Sequence, residues 1–183
     1  MGSHIVDING LFQKHFLRQE KLREIIRIHS EQVARKALEI IRKRQLPADR
    51  EFVYCGALLH DIGVVNCSAP EIHAFGPNPY ICHGVEGRKI LEKNGLPLLG
   101  LICERHTGSG ITKNQIIEGN LPLPHRDMLP VTLEEKIICY SDKFFSKSKN
   151  MFEEKSVEKI INQMEKHGKE AVDRFLELHS LFS

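Results

Sequence analysis

Ala57-Leu58-Leu59-His60-Asp61-Ile62-Gly63 is an apolar helical run that sets an imidazole and a carboxylate side by side and then stops at a glycine. Successive helix residues point about 100° apart, so neighbouring His and Asp serve one site only where that site lies between their directions, near a loosened helix end. Gly63 is expected to supply that end. Burying the pair is costly unless its charge is compensated, and a divalent metal does this more completely than one hydrogen bond. Taken alone, the two residues describe a structural histidine oriented by a carboxylate just as well.

Working outward, the chain reads as helices. Asn9 to Arg27 spaces Phe12, Phe16, Leu22, Ile25 and Ile26 for one or two helices, interrupted around Arg18-Gln19-Glu20. Ser30 then reads as an N-cap, with Val33, Ala34, Ala37, Leu38 and Ile41 as the next apolar stripe and Pro47 as its close. The helix carrying His60-Asp61 begins near Asp49 and is apolar almost all round, which marks it as central.

Pro70, Pro77 and Pro79 make a loop of Asn66 to Tyr80. His83-Gly84 opens a helix that ends at Asn94-Gly95, and Pro97 starts another that ends at Arg105-His106-Thr107-Gly108. A second loop runs from Gly119 to Pro130. Thr132 and Glu135 then form a capping box for a helix with Leu133, Ile137, Tyr140 and Phe144 inward, and Asp142 sits on it. Two amphipathic helices follow, carrying Val157, Ile160, Ile161 and Met164, then Val172, Phe175, Leu176 and Phe182, with His167-Gly168 between them. No period-two alternation or repeat is visible. The reading is an all-α helical bundle, one domain over 1–183 with a core of about 20–150 and C-terminal helices over 151–183.

Composition narrows the function classes. At 183 residues, 41% hydrophobic and 27% charged, the chain is long enough for one sizeable core. A net charge of +2 with evenly mixed signs predicts no nucleic-acid partner. Five scattered cysteines without a Cys-x-x-Cys pair fit reduced thiols, and no apolar run reaches membrane-spanning length. A cytoplasmic protein is expected, its oligomeric state unread. Met1-Gly2-Ser3-His4 resembles a vector-derived tail, so His4 is given no role.

His29, His60, Asp61, His83, His106 and Asp142 each fall at an expected element end or an inward position. Four imidazoles and two carboxylates suit one or two divalent ions among iron, manganese, cobalt, zinc and magnesium. His83 and His106 can also be read as a helix-start and a helix-end residue with no ligand role.

His29, the literal His60-Asp61-Ile62-Gly63, and Asp142 within Tyr140-Ser141-Asp142-Lys143 resemble the His…His-Asp…Asp signature of the HD superfamily of metal-dependent phosphohydrolases, in its HDIG form. The resemblance spans roughly Ile28 to Lys147 and implies an all-α bundle. It implies that His29, His60, Asp61 and Asp142 hold a first metal. His83 and His106 are similar to the extra histidines of two-metal members, which makes Asp61 the bridge. Many members carry Lys or Arg directly after the motif, where this chain has Val64, so no phosphate contact is expected from that position.

The implied activity is hydrolysis of a phosphoester or phosphoanhydride in a small, nucleotide-like molecule by metal-activated water, with His60 and Asp61 at the reacting centre. Arg105, Arg126 and Lys143 are the candidate phosphate contacts, two because they adjoin proposed ligands and Arg126 because its loop can fold over the site. Two rival readings use the same residues: a di-iron oxygenase of the HD type, and a non-catalytic metal-binding regulatory module. His15, His73, His125, His167 and His179 are left unassigned.

Overall fold

The computed structural model describes residues 6–148 and 150–183; His4 and the tail around it lie outside them. Among the described residues the α-helices are α1 (Ile8–His15), α2 (Glu20–Arg44), α3 (Arg50–Leu59), α4 (His83–Lys93), α5 (Pro97–Arg105), α6 (Lys113–Glu118), α7 (Leu133–Asp142), α8 (Val157–Met164) and α9 (Lys169–Phe182). The fold is all-α, as the periodicity predicts. It is interrupted by one small sheet of β1 (Cys67–Ala69), β2 (Ala74–Phe75) and β3 (Asn78–Pro79), ordered β2-β1-β3. β1 pairs antiparallel with β2 and parallel with β3, all within the stretch expected to be loop. Strands of two or three residues are too short for side-chain alternation to register in sequence, and Pro79 sits on an edge strand, where its missing N–H is tolerated.

The largest departure from the sequence reading is α2. It runs unbroken for 25 residues, so Ser30 is no N-cap and His29 is no helix head. Leu22, Ile26, His29, Val33 and Ala37 recur every three or four residues, and all are buried, so His29 is one member of a continuous inward stripe. No Gly or Pro lies between Glu20 and Arg44 to stop it. The chain turns only at Gln45, in the left-handed conformation, two residues before Pro47.

α3 ends at Leu59 with His60 as its cap, and a 3₁₀ turn follows over Ile62–Asn66. Gly63 therefore lies inside that turn rather than ending the helix. Its lack of a side chain answers a different need: a Cβ there would lie 2.0 Å from the His83 carbonyl oxygen and 2.2 Å from the Gly87 nitrogen. The turn that follows Asp61 can thus press directly on α4.

Helix α6 was not foreseen; Thr112 and Gln115 cap it reciprocally. At α7 the hydroxyl of Thr132 accepts from the Glu135 N–H, but the Glu135 carboxylate turns to the Val131 N–H and to Arg105, so the predicted box is only half formed. In the C-terminal pair, Phe175 and Phe182 are buried against Tyr140 of α7, while Leu176 is exposed and Leu178 takes the inward place. Gly168 has φ +93° at the join between them. No helix among the described residues is long and apolar enough to cross a membrane.

Candidate metal centre

Five elements bring six side chains to one point beneath the surface. His29 comes from mid-α2, His60 and Asp61 from the end of α3, His83 from the first residue of α4, His106 from the cap of α5, and Asp142 from the last residue of α7. All six are buried.

The Asp61 carboxylate divides the cluster. Its Oδ2 lies 3.1 Å from His60 Nε2 and 3.3 Å from His29 Nε2, while its Oδ1 lies 3.5 Å from His106 Nε2 and 3.6 Å from His83 Nε2. Asp142 closes the first group, with Oδ1 2.9 Å from His29 Nε2 and 3.5 Å from His60 Nε2. His29, His60, Asp61 and Asp142 form one group that could hold an ion, their donor atoms all within 4.8 Å of one another, and Asp61, His83 and His106 form another.

Three of the rings are locked by the same device. His60 Nδ1–H donates to the Ala57 carbonyl at 2.7 Å, His83 Nδ1–H to Tyr80 at 2.8 Å, and His106 Nδ1–H to Cys103 at 2.7 Å. A carbonyl only accepts, so the proton sits on Nδ1 and Nε2 carries the lone pair in the neutral ring, the form a metal ligand needs. His83 and His106 then face each other Nε2 to Nε2 at 3.1 Å. Two lone pairs at that separation repel unless a cation lies with them. Buried His60 Nε2 and Asp61 Oδ1 have no hydrogen-bond partner either. Unpartnered buried acceptors on a set of imidazoles and carboxylates fit divalent metal binding.

The protonation tendencies of three of the four imidazoles favour the neutral ring. Burial pushes His29 down to about 4 and His83 down to about 3, aided by Lys147 and His106 respectively, and burial lowers His106 as well. His60 moves the other way: burial opposes its charge, but Asp61 and Asp142 outweigh this and raise it to about 9. Both carboxyls stay far below the usual range despite burial, Asp61 held by His60 and Lys147, and Asp142 by Lys143 and Lys147. The two carboxylates thus stay ionised inside the fold.

Two ammonium groups reach it. Lys147 Nζ lies 2.7 Å from Asp61 Oδ2, and Lys143 Nζ lies 2.7 Å from Asp142 Oδ2 and donates to the His106 carbonyl at 3.1 Å. Of the basic residues singled out in the sequence, Lys143 is thus at the cluster. Arg105 instead pairs with Glu135 at 2.9 Å, and Arg126 and Arg88 both pair with buried Glu104. A buried carboxylate needs its partners, and Glu135 and Glu104 engage both arginines in ion pairs.

Beside Asp142 opens a cavity of about 370 Å³ lined by Lys143, Lys147, Lys155, Lys166 and His167. Lys147, Lys155, Lys166 and His167 were not anticipated. Lys147 carried a faint signal, a second lysine four residues after Lys143. Lys155 and Lys166 carried none, because lysine on an amphipathic surface is ordinary.

Several known proteins resemble this chain. An uncharacterized protein of Methanocaldococcus jannaschii is 39% identical over 127 residues, covering 69% of this chain and 65% of that protein. A protein of Picrophilus torridus named tRNA (cytidine(56)-2'-O)-methyltransferase is 35% identical over 131 residues, 71% of this chain and 34% of that protein. One of the same name from Thermoplasma volcanium is 31% identical over 157 residues, 85% of this chain and 41% of that protein. The chain therefore spans less than two thirds of the length of each of these relatives. No solved structure matches it. The HD domain matches residues 26–147, a span that contains all six converging side chains, and the chain belongs to the HD domain family.

Proposed function

We propose that this protein is a metal-dependent phosphohydrolase that cleaves a phosphoester or phosphoanhydride bond in a small, nucleotide-like substrate. The observation that carries the reading is the split carboxylate of Asp61, each oxygen facing its own pair of imidazoles. His29, His60, Asp61 and Asp142 would hold one ion, and Asp61, His83 and His106 a second. Bound there, the ions would supply water activation and Lewis acidity at phosphorus. The chain's own groups do the rest. Asp61 fixes the two halves relative to each other, and the Nδ1 anchors hold His60, His83 and His106 in the ligand tautomer. Lys143 and Lys147, which line the cavity and pair with Asp142 and Asp61, would offer further N–H donors to non-bridging phosphate oxygens. Burial of the cluster keeps bulk water from competing.

Elemental analysis of protein purified without chelator, followed by phosphate release from a panel of nucleotides and sugar phosphates in air and under argon, tests this. Metal-dependent release that is equal in both atmospheres is the expected result. Turnover that needs oxygen and iron would replace hydrolysis with the oxygenase reading, and absence of any release would leave a metal-binding regulatory module.

The names of the Picrophilus torridus and Thermoplasma volcanium relatives raise a tRNA-directed role. This chain spans only 34% and 41% of those proteins, its net charge is only +2, and its buried His/Asp set is metal-ligand chemistry. These favour the phosphohydrolase.

A further inference from the structure

Beside the lysine cavity lies a second, larger recess of about 590 Å³, whose walls include apolar Ile81, Ile111, Leu121 and Met164 and polar Gln115 and Glu118. The two spaces share three lining residues, Gly108, Met164 and His167. Gly108 forms the common edge as bare backbone: its φ is +60°, and a Cβ added there would meet no atom within 4 Å. The recess wall is held by Arg174, which donates to the Ser109 carbonyl at 3.3 Å, the Gly110 carbonyl at 3.0 Å and Gln115 Oε1 at 3.0 Å. Arg174 is thereby a positioning residue for the loop, and its charge is spent on the wall. The only carboxylate among the lysine cavity's lining residues is Asp142, which Lys143 already neutralises.

We infer that the two spaces form one two-part site, taking a phosphomonoester whose phosphate lies among Lys143, Lys147, Lys155 and Lys166 and whose body presents an apolar, ring-sized face to the recess. This deepens the phosphohydrolase reading and rests on it for the phosphate end. The occupant follows from continuity and charge: a cationic mouth beside the metal centre leads over a glycine edge into an apolar chamber, so one molecule with an anionic end and an apolar end fills both. Lys155, Lys166 and His167 come from beyond residue 147, as do Met164, Ala171 and Arg174 of the chamber wall, while the rest of that wall lies within the stretch shared with the HD domain.

The test is equilibrium binding by calorimetry to the full-length, metal-loaded protein, with three probes: the non-hydrolysable phosphonate analogues of AMP and of ribose 5-phosphate, and inorganic phosphate. The AMP analogue is expected to bind at least about tenfold more tightly than the ribose analogue. Lys166→Glu, an exposed change, weakens both analogues by a similar factor and leaves their ratio intact. Gly108→Asn, which keeps a residue tolerant of positive φ and sends a side chain into the shared edge, brings the ratio to within about twofold. Leu121→Asn does the same from the far wall. Equal binding of the two analogues by the unaltered protein overturns the inference, as does a ratio that survives both Gly108→Asn and Leu121→Asn, or failure of any probe to bind. The wild-type ratio needs no variant, so a misfolded mutant leaves the test standing. A preserved ratio with no phosphate release from any nucleotide would sink the hydrolase reading while sustaining this one.

Discussion

The two halves of the centre share one carboxylate and are otherwise unlike. The half built from His29, His60, Asp142 and Asp61 Oδ2 holds two carboxylates, and Lys143 and Lys147 lie 2.7 Å from them. The half built from His83, His106 and Asp61 Oδ1 holds no second carboxylate, and its two imidazoles face nitrogen to nitrogen at 3.1 Å, with Lys143 donating to this half only at the His106 carbonyl. Charge concentrates on one side and lone-pair repulsion on the other. The first half can satisfy itself with internal cations, whereas the second is relieved only by something that arrives from outside. A chelator titration should therefore strip the His83/His106 side first, since fewer anionic ligands hold it.

Asp61→Ala removes the element common to both halves. We expect loss of both ions and a fall in phosphate release of at least about 10³-fold, read by metal analysis alongside kinetics. Retention of one ion by this variant would show that the halves are independent sites. Gly63→Ala attacks their alignment, since the added methyl has only 2.0 Å to the His83 carbonyl; a loss of about 3 kcal/mol or more in denaturant unfolding is expected. Unchanged stability there would mean that the turn after Asp61 and α4 are not held against each other.

His106→Ala tests the weaker half alone. It should lower bound metal from two ions per chain to one and cut activity about 100-fold. If it empties both halves, the asymmetry drawn above is wrong. The smallest effect concerns Lys155, which burial lowers to about 8, with Lys143, Lys147 and Lys159 pressing the same way and Asp142 opposing. In the folded chain its charged form is the disfavoured one, so that charge is complete only below pH 8 and is lost as pH rises through 8. Affinity for inorganic phosphate should fall about threefold between pH 7 and 9, and Lys155→Gln should flatten that step. A step unchanged in the variant would remove Lys155 from the anion site.

Much of this was legible in the sequence because it depends on local rules. Caps, proline starts and apolar spacing placed α3, α4, α5 and α7 close to where they lie, and the six clustered residues were all named from their positions at element ends or on inward faces. His29 was recognised for the wrong local reason. A Ser resembling an N-cap suggested a break, while the unbroken stripe from Leu22 to Ala37 decides for one long helix. Arg105 was singled out for its place beside a ligand and Arg126 for its loop, and neither signal reveals the buried Glu135 and Glu104 that pair with them. Lys155 and Lys166 were invisible for a related reason, since only the folding back of the C-terminal helices carries them to Asp142.

The three carbonyl anchors on His60, His83 and His106 each span three residues within a single segment, from Ala57, Tyr80 and Cys103. Each ring is therefore aimed by its own stretch of backbone rather than by a long-range partner. A chain emptied of its ions should keep these rings pointed inward, and recharging it should be limited by the ions' passage inward rather than by refolding. Small zinc modules behave in the opposite way, collapsing without their metal.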